Sequence, residues 1–597
     1  ARYAVVVTRD VRDRRGERIG RSEAFHHFAR EGDRERDGRN PELDTYRRAL
    51  REALAVAERS GIEHSKIAVM SVFTTLSSSA LFLKLRDHVG ALPAPEPASF
   101  LLGPGGTRSV FAVPQITAMT FNRDVGTNPA TGATILSSVS LASRIGAMRI
   151  VPGVLGRLAF GSLVAPRYDN EGSIARIPSR TGEVRQLGTR TLTFVLFLPS
   201  GPMPPGGWPT VLYGYGGADN KQNGPYLVAA AMAESGFATI AIDLPGNGFG
   251  ERSTVTVATG ARSTTVLAGG RSFDQNGDGV IAVNEGANAA PPRTLLLGTD
   301  RGIQGVTDVL HLIRVIEAGM DADGDGARDL DPSRIYAFGF SAGGGVMEIA
   351  MGLEPKIRAG VFNSAGIGGG DGLPFGPARP AAGAFIAARK PPLNNVPPAV
   401  GITEVGDGKP APFGSICVNV PPLFNDTPVL PHRPTVVSAV PGAMVIREFL
   451  DRLQWVSQPG SSAGMLMHLR RRFPVTSVAP VLFQRSKGDQ TALNFAGLDV
   501  LRAAGFEDRI TWLRYSDKVF DGKLQANPHN ISQRTDSPDA ATRALALALQ
   551  RQAAQFLASD GTFVPDPDGA APVFEFPISD PDAYGLNYVP APCPPGT

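Results

Sequence analysis

Residues 334–350 read Arg334-Ile335-Tyr336-Ala337-Phe338-Gly339-Phe340-Ser341-Ala342-Gly343-Gly344-Gly345-Val346-Met347-Glu348-Ile349-Ala350. The first five form a short apolar run that predicts a strand, and the stretch from Gly344 predicts a helix. Between them stands Ser341, with small residues two before and two after it, the context of a nucleophile elbow. Without a Cβ at Gly339 and Gly343 the backbone can take a strained turn. The Ser341 hydroxyl then stands clear at the sheet edge. The next N–H, that of Ala342, lies near a helix N-terminus, where it can stabilise an oxyanion.

The five-residue pattern alone is weak, because Gly460-Ser461-Ser462-Ala463-Gly464 also fits it. That copy follows Gln458-Pro459 rather than a strand and leads into the Arg-rich Met465–Arg472. Ser462 therefore reads as a loop or helix-cap serine.

At 597 residues the chain predicts two or three domains. Its 42% hydrophobic and 19% charged content is that of an ordinary globular protein. Lys+Arg 59 against Asp+Glu 56 leaves a net charge of +3 with no basic stripe, which argues against nucleic acid as a partner. No apolar run is long enough for a transmembrane helix. The chain opens on the strand-like Ala1–Thr8 without a signal peptide, so a leader is expected to have been removed or to lie outside this sequence. Cys417 and Cys593 are the only cysteines, compatible with one disulfide in an exported protein or with two buried thiols.

Three regions are expected. Residues 1–97 form an N-terminal α+β region, with strands at 3–8 and 67–74, a helix at 41–60 and a Pro-rich linker at 92–97. Residues 98–200 read as a β-rich segment leading into the main sheet. From 201 to 597, strands alternate with helices, which predicts a mostly parallel central sheet flanked by helices. The strands fall at 210–213, 238–243, 334–338, 358–363, 480–484 and 510–515. A Pro/Gly-rich, lid-like insertion runs from about 371 to 475.

A serine is a weak nucleophile until a base takes its proton, and an acid must fix that base's tautomer. Where the serine sits on such an elbow, the acid and then the histidine follow it in the chain. Of the histidines only His432, His468 and His529 come after Ser341, and the first two precede the final pair of strands. His529 lies on a loop just beyond the 510–515 strand, where the base belongs. Asp489, directly after the 480–484 strand, is the candidate acid, ahead of Asp517 and Asp521. The second oxyanion donor is expected from Gly216 or Gly217, in the turn after the 210–213 strand, beside Ala342. Asp243–Gly250, ending the next strand, is expected to shape the pocket wall.

Two acidic loops carry a separate signal. Asp274–Glu285 matches the twelve-residue calcium loop, with Asp274, Asn276, Asp278, the Val280 carbonyl and Glu285 as ligands. Asp321, Asp323 and Asp325 repeat the acidic core, with Asp329 at position 9 and Pro332 where the closing glutamate would stand. Flanking helices are not apparent. The expected role is a structural Ca²⁺, and no organic cofactor is implied.

The chain resembles the exported bacterial lipases of the virulence-factor lipase type, within the α/β-hydrolase superfamily. The resemblance rests on Gly339–Gly343, Gly488-Asp489-Gln490-Thr491, Gly207-Trp208-Pro209, Leu453-Gln454-Trp455, Tyr3–Thr8 and Val72-Phe73-Thr74-Thr75. It departs from that family at Tyr215, where histidine is usual. The resemblance implies an α/β-hydrolase fold and hydrolysis of carboxylic esters, lipids and polyesters among them, outside the cytoplasm or at the cell surface. A serine peptidase of the same fold and a binding protein on a hydrolase scaffold are the alternatives. The first lacks a visible site for a peptide terminus; the second must explain Ser, Asp and His in the required order.

Overall fold

The computed structural model describes residues 2–31, 41–75, 79–170, 173–174, 183–260, 262–282, 285–287, 299–366, 404–405, 409–410, 448, 451–452, 454–455, 457–470, 478–489, 491–515, 527–569 and 573–579. Cys417, Cys593, His432, Asp517, Asp521 and most of the 371–475 insertion lie outside the described residues.

Two compact units make up the chain, Ala1–Ser77 and Ser78–Thr597. In the first, β1 (Arg2–Thr8) pairs antiparallel with β2 (Ile67–Thr74). Helices α1 (Glu23–Glu31) and α2 (Pro41–Arg59) lie between them in sequence. Its small core includes Phe25, Leu50, Ile67 and Met70.

The second unit begins with α3 (Ala80–Ala91) rather than after the Pro-rich segment. Phe82, Leu85 and Val89 of α3 are buried in the main core. The Pro-rich stretch is no free linker, because Arg314 Nη2 donates to the carbonyls of Leu92 and Pro93 at 2.6 and 2.8 Å. Next come β3 (Val110–Ala112), β4 (Ile116–Thr127), β5 (Thr134–Ser140), α4 (Ala142–Met148) and β6 (Leu155–Arg167). The short β7 (Asp169–Asn170) and β8 (Ser173–Ile174) pair with each other, ahead of β9 (Gly188–Pro199).

The alternating part then runs β10 (Trp208–Gly214), α5 (Gly224–Glu234), β11 (Ala238–Ile242), β12 (Thr254–Thr259), β13 (Arg262–Leu267) and α6 (Thr299–Ala318). After it come β14 (Leu330–Phe340), α7 (Ser341–Leu353) and β15 (Ile357–Asn363), with β16 (Glu404–Val405) and β17 (Lys409–Pro410) as a minor pair. The chain continues through α8 (Leu466–Arg470), β18 (Val481–Ser486), α9 (Asn494–Ala503), β19 (Ile510–Leu513), α10 (Ala540–Ala558) and β20 (Phe574–Glu575).

The central sheet has ten strands in the order β20-β19-β18-β15-β14-β10-β11-β9-β6-β3. The six from β19 to β11 are mutually parallel, and each strand outside them runs antiparallel to its neighbours. This is the α/β-hydrolase fold.

Its strands are apolar on both faces because both faces are covered. Along β9, Phe194, Leu196 and Leu198 enter one core while Val195 and Phe197 enter the other; β14 splits Ile335 and Ala337 from Tyr336 and Phe338 in the same way. One core packs α3, α6, α7, α8 and α9, and the opposite core packs α4, α5 and α10. A second sheet, β13-β12-β4-β5, takes two strands from the 98–200 segment and two from beyond β11. That segment is therefore divided between the two sheets.

Candidate functional site

Ser341 stands at the junction of β14 and α7 with φ +51°, a left-handed conformation that a serine adopts only under strain. The neighbouring glycines make room for it. A Cβ on Gly339 would lie 2.5 Å from Gly344 Cα, and one on Gly343 would lie 2.3 Å from the Tyr215 carbonyl oxygen. The elbow is thus wedged against the turn after β10.

The loops after β18 and β19 bring the other two groups to this point. His529 Nε2 is 2.9 Å from Ser341 Oγ, and its Nδ1 is 3.0 Å from each carboxylate oxygen of Asp489. Since the carboxylate can only accept, the Nδ1–H donates to it and the bare Nε2 faces the serine hydroxyl. Asp489 is fully buried, and its Oδ1 also accepts the Thr491 and Ala492 N–H groups at 2.8 and 2.9 Å. The loop of His529 is fastened to the same place, with Asn527 Nδ2 donating to Thr491 Oγ1 at 3.1 Å. The Phe340 ring packs 5.2 Å from the imidazole.

Gly216 and Gly217 face the elbow: a Cβ on Gly216 would lie 3.3 Å from Ser341 Cβ, and one on Gly217 would lie 3.9 Å from Ala342 Cβ. Their turn is anchored from beneath by a buried network that sequence reading missed. The Lys221 ammonium pairs with Asp243 Oδ2, both side chains being almost wholly inaccessible. The same ammonium donates to the Gly269 and Ala268 carbonyls at 2.7 and 3.2 Å. Asp243 Oδ1 accepts the Lys221 N–H at 2.9 Å and the Tyr215 hydroxyl, which itself accepts the Leu244 N–H at 3.1 Å. Burial drives the Tyr215 phenol well above its ordinary range, so it stays a neutral donor. Asp243 therefore closes the turn, while Asn247, Gly248 and Phe249 beyond it line a cavity.

Ser462, in the second copy of the pattern, is buried against α7 near Gly345. Its neighbour Ser461 does the capping, accepting the Ala463 N–H at 3.3 Å. Among the described residues no imidazole is hydrogen-bonded to the Ser462 hydroxyl. His468 lies on α8.

In the first acidic loop the carboxylates fold inward. Asp274 accepts the N–H groups of Gly277, Asp278 and Gly279 at 2.7 to 3.1 Å. Asn276 Oδ1 accepts from Asp278 N–H and Asp278 Oδ1 from Val280 N–H, both at 2.8 Å, and Glu285 closes onto the Gln275 and Ala282 N–H groups. In the second loop, carboxylate oxygens of Asp321, Asp323 and Asp325 lie within 4.8 Å of one another. This all-oxygen set suits a hard cation such as Ca²⁺. Asp329 is not part of that group; it is buried and accepts the Ala322 N–H at 2.6 Å from within. Arg157 Nη1 already sits 2.6 Å from Asp323 Oδ2.

No family model matches the chain, and no curated protein matches it. Among solved structures it is similar to an acetyl xylan esterase from Paenibacillus sp. R4, at 12% identity over 70% of this chain and 82% of that one, with a TM-score of 0.30. An esterase from Pyrobaculum calidifontis is similar at 11% identity over 70% and 89% of the two chains, TM-score 0.31. A 2,6-dihydroxy-pseudo-oxynicotine hydrolase is similar at 12% identity over 64% and 69%, TM-score 0.30. Likeness at this level leaves the reading of the site to its own geometry. Among the described residues no helix is long and apolar enough to cross a membrane.

Proposed function

We propose that this chain is a serine hydrolase of carboxylic esters. The observation that carries the reading is the unbroken chain of contacts from Ser341 Oγ through His529 to Asp489, seated on a strained elbow. Ser341 attacks the ester carbonyl as His529 Nε2 takes its proton, and the Asp489 carboxylate holds the imidazolium that forms. The N–H groups of Ala342 and of Gly217 or Gly216 face the developing oxyanion. His529 passes the proton to the leaving alkoxide, and the acyl group remains on Ser341. Water, activated by the same histidine, then releases the acid. The acidic loops, above all Asp321, Asp323 and Asp325, would hold Ca²⁺ in a structural role, since this chemistry needs no metal.

The test is a panel of p-nitrophenyl esters of increasing acyl length, with a peptide amide as control, run on wild type and Ser341→Ala. The variant should lose about three to six orders of magnitude in kcat. Ester turnover that survives in Ser341→Ala would overturn the mechanism, and amide cleavage faster than ester cleavage would point to a peptidase.

A further inference from the structure

β18, the strand that leads to Asp489, is buried along its whole length, and its Val481 and Phe483 enter the core that packs α7 and α9. Arg485, two residues on, turns to the same side. A Cβ on Gly497 of α9 would lie 2.9 to 3.1 Å from its guanidinium atoms. Arg485 is 2% exposed, and Glu348 of α7 is fully buried. Stability alone favours neither choice. A buried pair of opposite charges is often no better than apolar residues of the same volume, and a glycine inside a helix weakens it. Two unfavourable choices thus serve one feature, a guanidinium seated within the core.

The helix that seats it also closes the loop of the acid. Gly488 N–H donates to Asn494 Oδ1 at 3.1 Å, and Asn494 Nδ2 donates to the Ser486 carbonyl at 2.9 Å. Asp489, four positions after Arg485, is therefore held in a loop folded back onto α9. Burial works against the charge of Arg485, while Glu348 and Asp489 sustain it. Among the described residues no hydrogen bond reaches the guanidinium, so it acts on Asp489 as a charge through space.

Burial pushes the Glu348 carboxyl up to about 7, against the pull of the Ser462 hydroxyl and Arg485, so below neutrality the guanidinium's charge is left to Asp489. The other charged groups on these helices are engaged elsewhere. Asp499 and Arg502 of α9 pair with each other at 3.1 Å on its exposed side, and His468 of α8 meets α7 at Gly352. A positive charge near a carboxylate opposes protonation of the base that the carboxylate holds.

We propose that Arg485 is a positioning residue of the triad, its charge balancing the Asp489 carboxylate that holds His529, with Gly497 making its seat. This rests on the ester-hydrolase reading. The test follows kcat/KM for p-nitrophenyl acetate in the full chain from about pH 5 to about pH 9. In Arg485→Met the acid limb of the profile should move up by about half a pH unit or more, because the charge opposing protonation is gone. Arg485→Lys keeps the charge and should keep the limb in place. The double variant Arg485→Met/Glu348→Gln leaves neither member of the pair charged, should fold at least as well as wild type, and should repeat the shift. A residue that only packs would lower the whole profile without moving its limb.

A limb left in place in the double variant, or moved as far in Arg485→Lys as in Arg485→Met, would overturn this inference alone. Failure of the double variant to fold would overturn it as well, by making Arg485 a residue of stability. Turnover that survives in Ser341→Ala would remove the hydrolase reading, and the positioning role with it.

Discussion

Replacing Lys221 with methionine tests whether the turn facing Ser341 is held by its buried ion pair. Methionine keeps most of the aliphatic stem but removes the ammonium from Asp243, whose carboxylate is almost wholly inaccessible. Asp243 would retain two donors, the Lys221 N–H and the Tyr215 hydroxyl; the Ala268 carbonyl would lose the ammonium, while that of Gly269 would keep the Thr193 hydroxyl. Stranding one member of a buried pair costs about 3–5 kcal/mol, and the surviving donors place the expectation near the lower end, about 3 kcal/mol. Urea unfolding followed by tryptophan fluorescence measures it cleanly, because Trp208, Trp455 and Trp512 all belong to the second unit. The double variant Lys221→Met/Asp243→Asn leaves no buried charge and should recover at least 1 kcal/mol of the loss. Ester turnover by the single variant should also fall about tenfold or more, since Gly216 and Gly217 ride on the same turn. A cost below about 1 kcal/mol, the range of an exposed pair, would refute the argument.

Glu348 on α7 is fully buried, and burial lifts it from 4.5 to about 7 against the opposing pull of the Ser462 hydroxyl and the Arg485 guanidinium. A raised carboxyl lends stability in full below its unfolded value and loses it as pH rises through the folded one. At 1.36 kcal/mol per pKa unit the loss approaches about 3 kcal/mol by pH 8. Glu348→Gln should therefore gain stability over wild type between pH 5 and 8 in urea unfolding, and a constant difference would exclude the effect. If the acidic loops hold Ca²⁺, the ion at about a hundred times its Kd should stabilise the second unit by about 2.7 kcal/mol over chelator, and Asp321→Asn/Asp325→Asn should shrink that gap. Unfolding curves that coincide in calcium and chelator would dismiss the ion. Ser462→Ala should retain ester turnover within about twofold, as its hydroxyl is buried against α7 near Gly345. Loss comparable to that of Ser341→Ala would mean the wrong serine had been chosen.

The elbow and its two partners were legible because each depends on local signals. An apolar run ending in a glycine-flanked serine, and acidic and histidine loops after later strands, are visible one window at a time. What stayed hidden depends on pairings across long stretches of chain. Nothing in Thr254–Thr259 announces that it pairs with Ile116–Asn122 to build a second sheet. The Pro-rich 92–97 stretch looked like a boundary, yet Arg314, far along the chain, holds its carbonyls and α3 packs into the main core. Lys221 was unreadable for a related reason. A lysine in a polar loop predicts exposure, and only the fold brings Asp243 beneath it.

Tyr215 connects these observations. It spends its hydroxyl on Asp243, in the buried network beneath the turn. The turn is then fixed from below by Tyr215 and Lys221. Residues 218–223 continue from it into the wall of the cavity, and Asn247 Nδ2 ties that wall back through the Asp219 carbonyl. One segment therefore carries both the glycines that face Ser341 and part of the cavity wall.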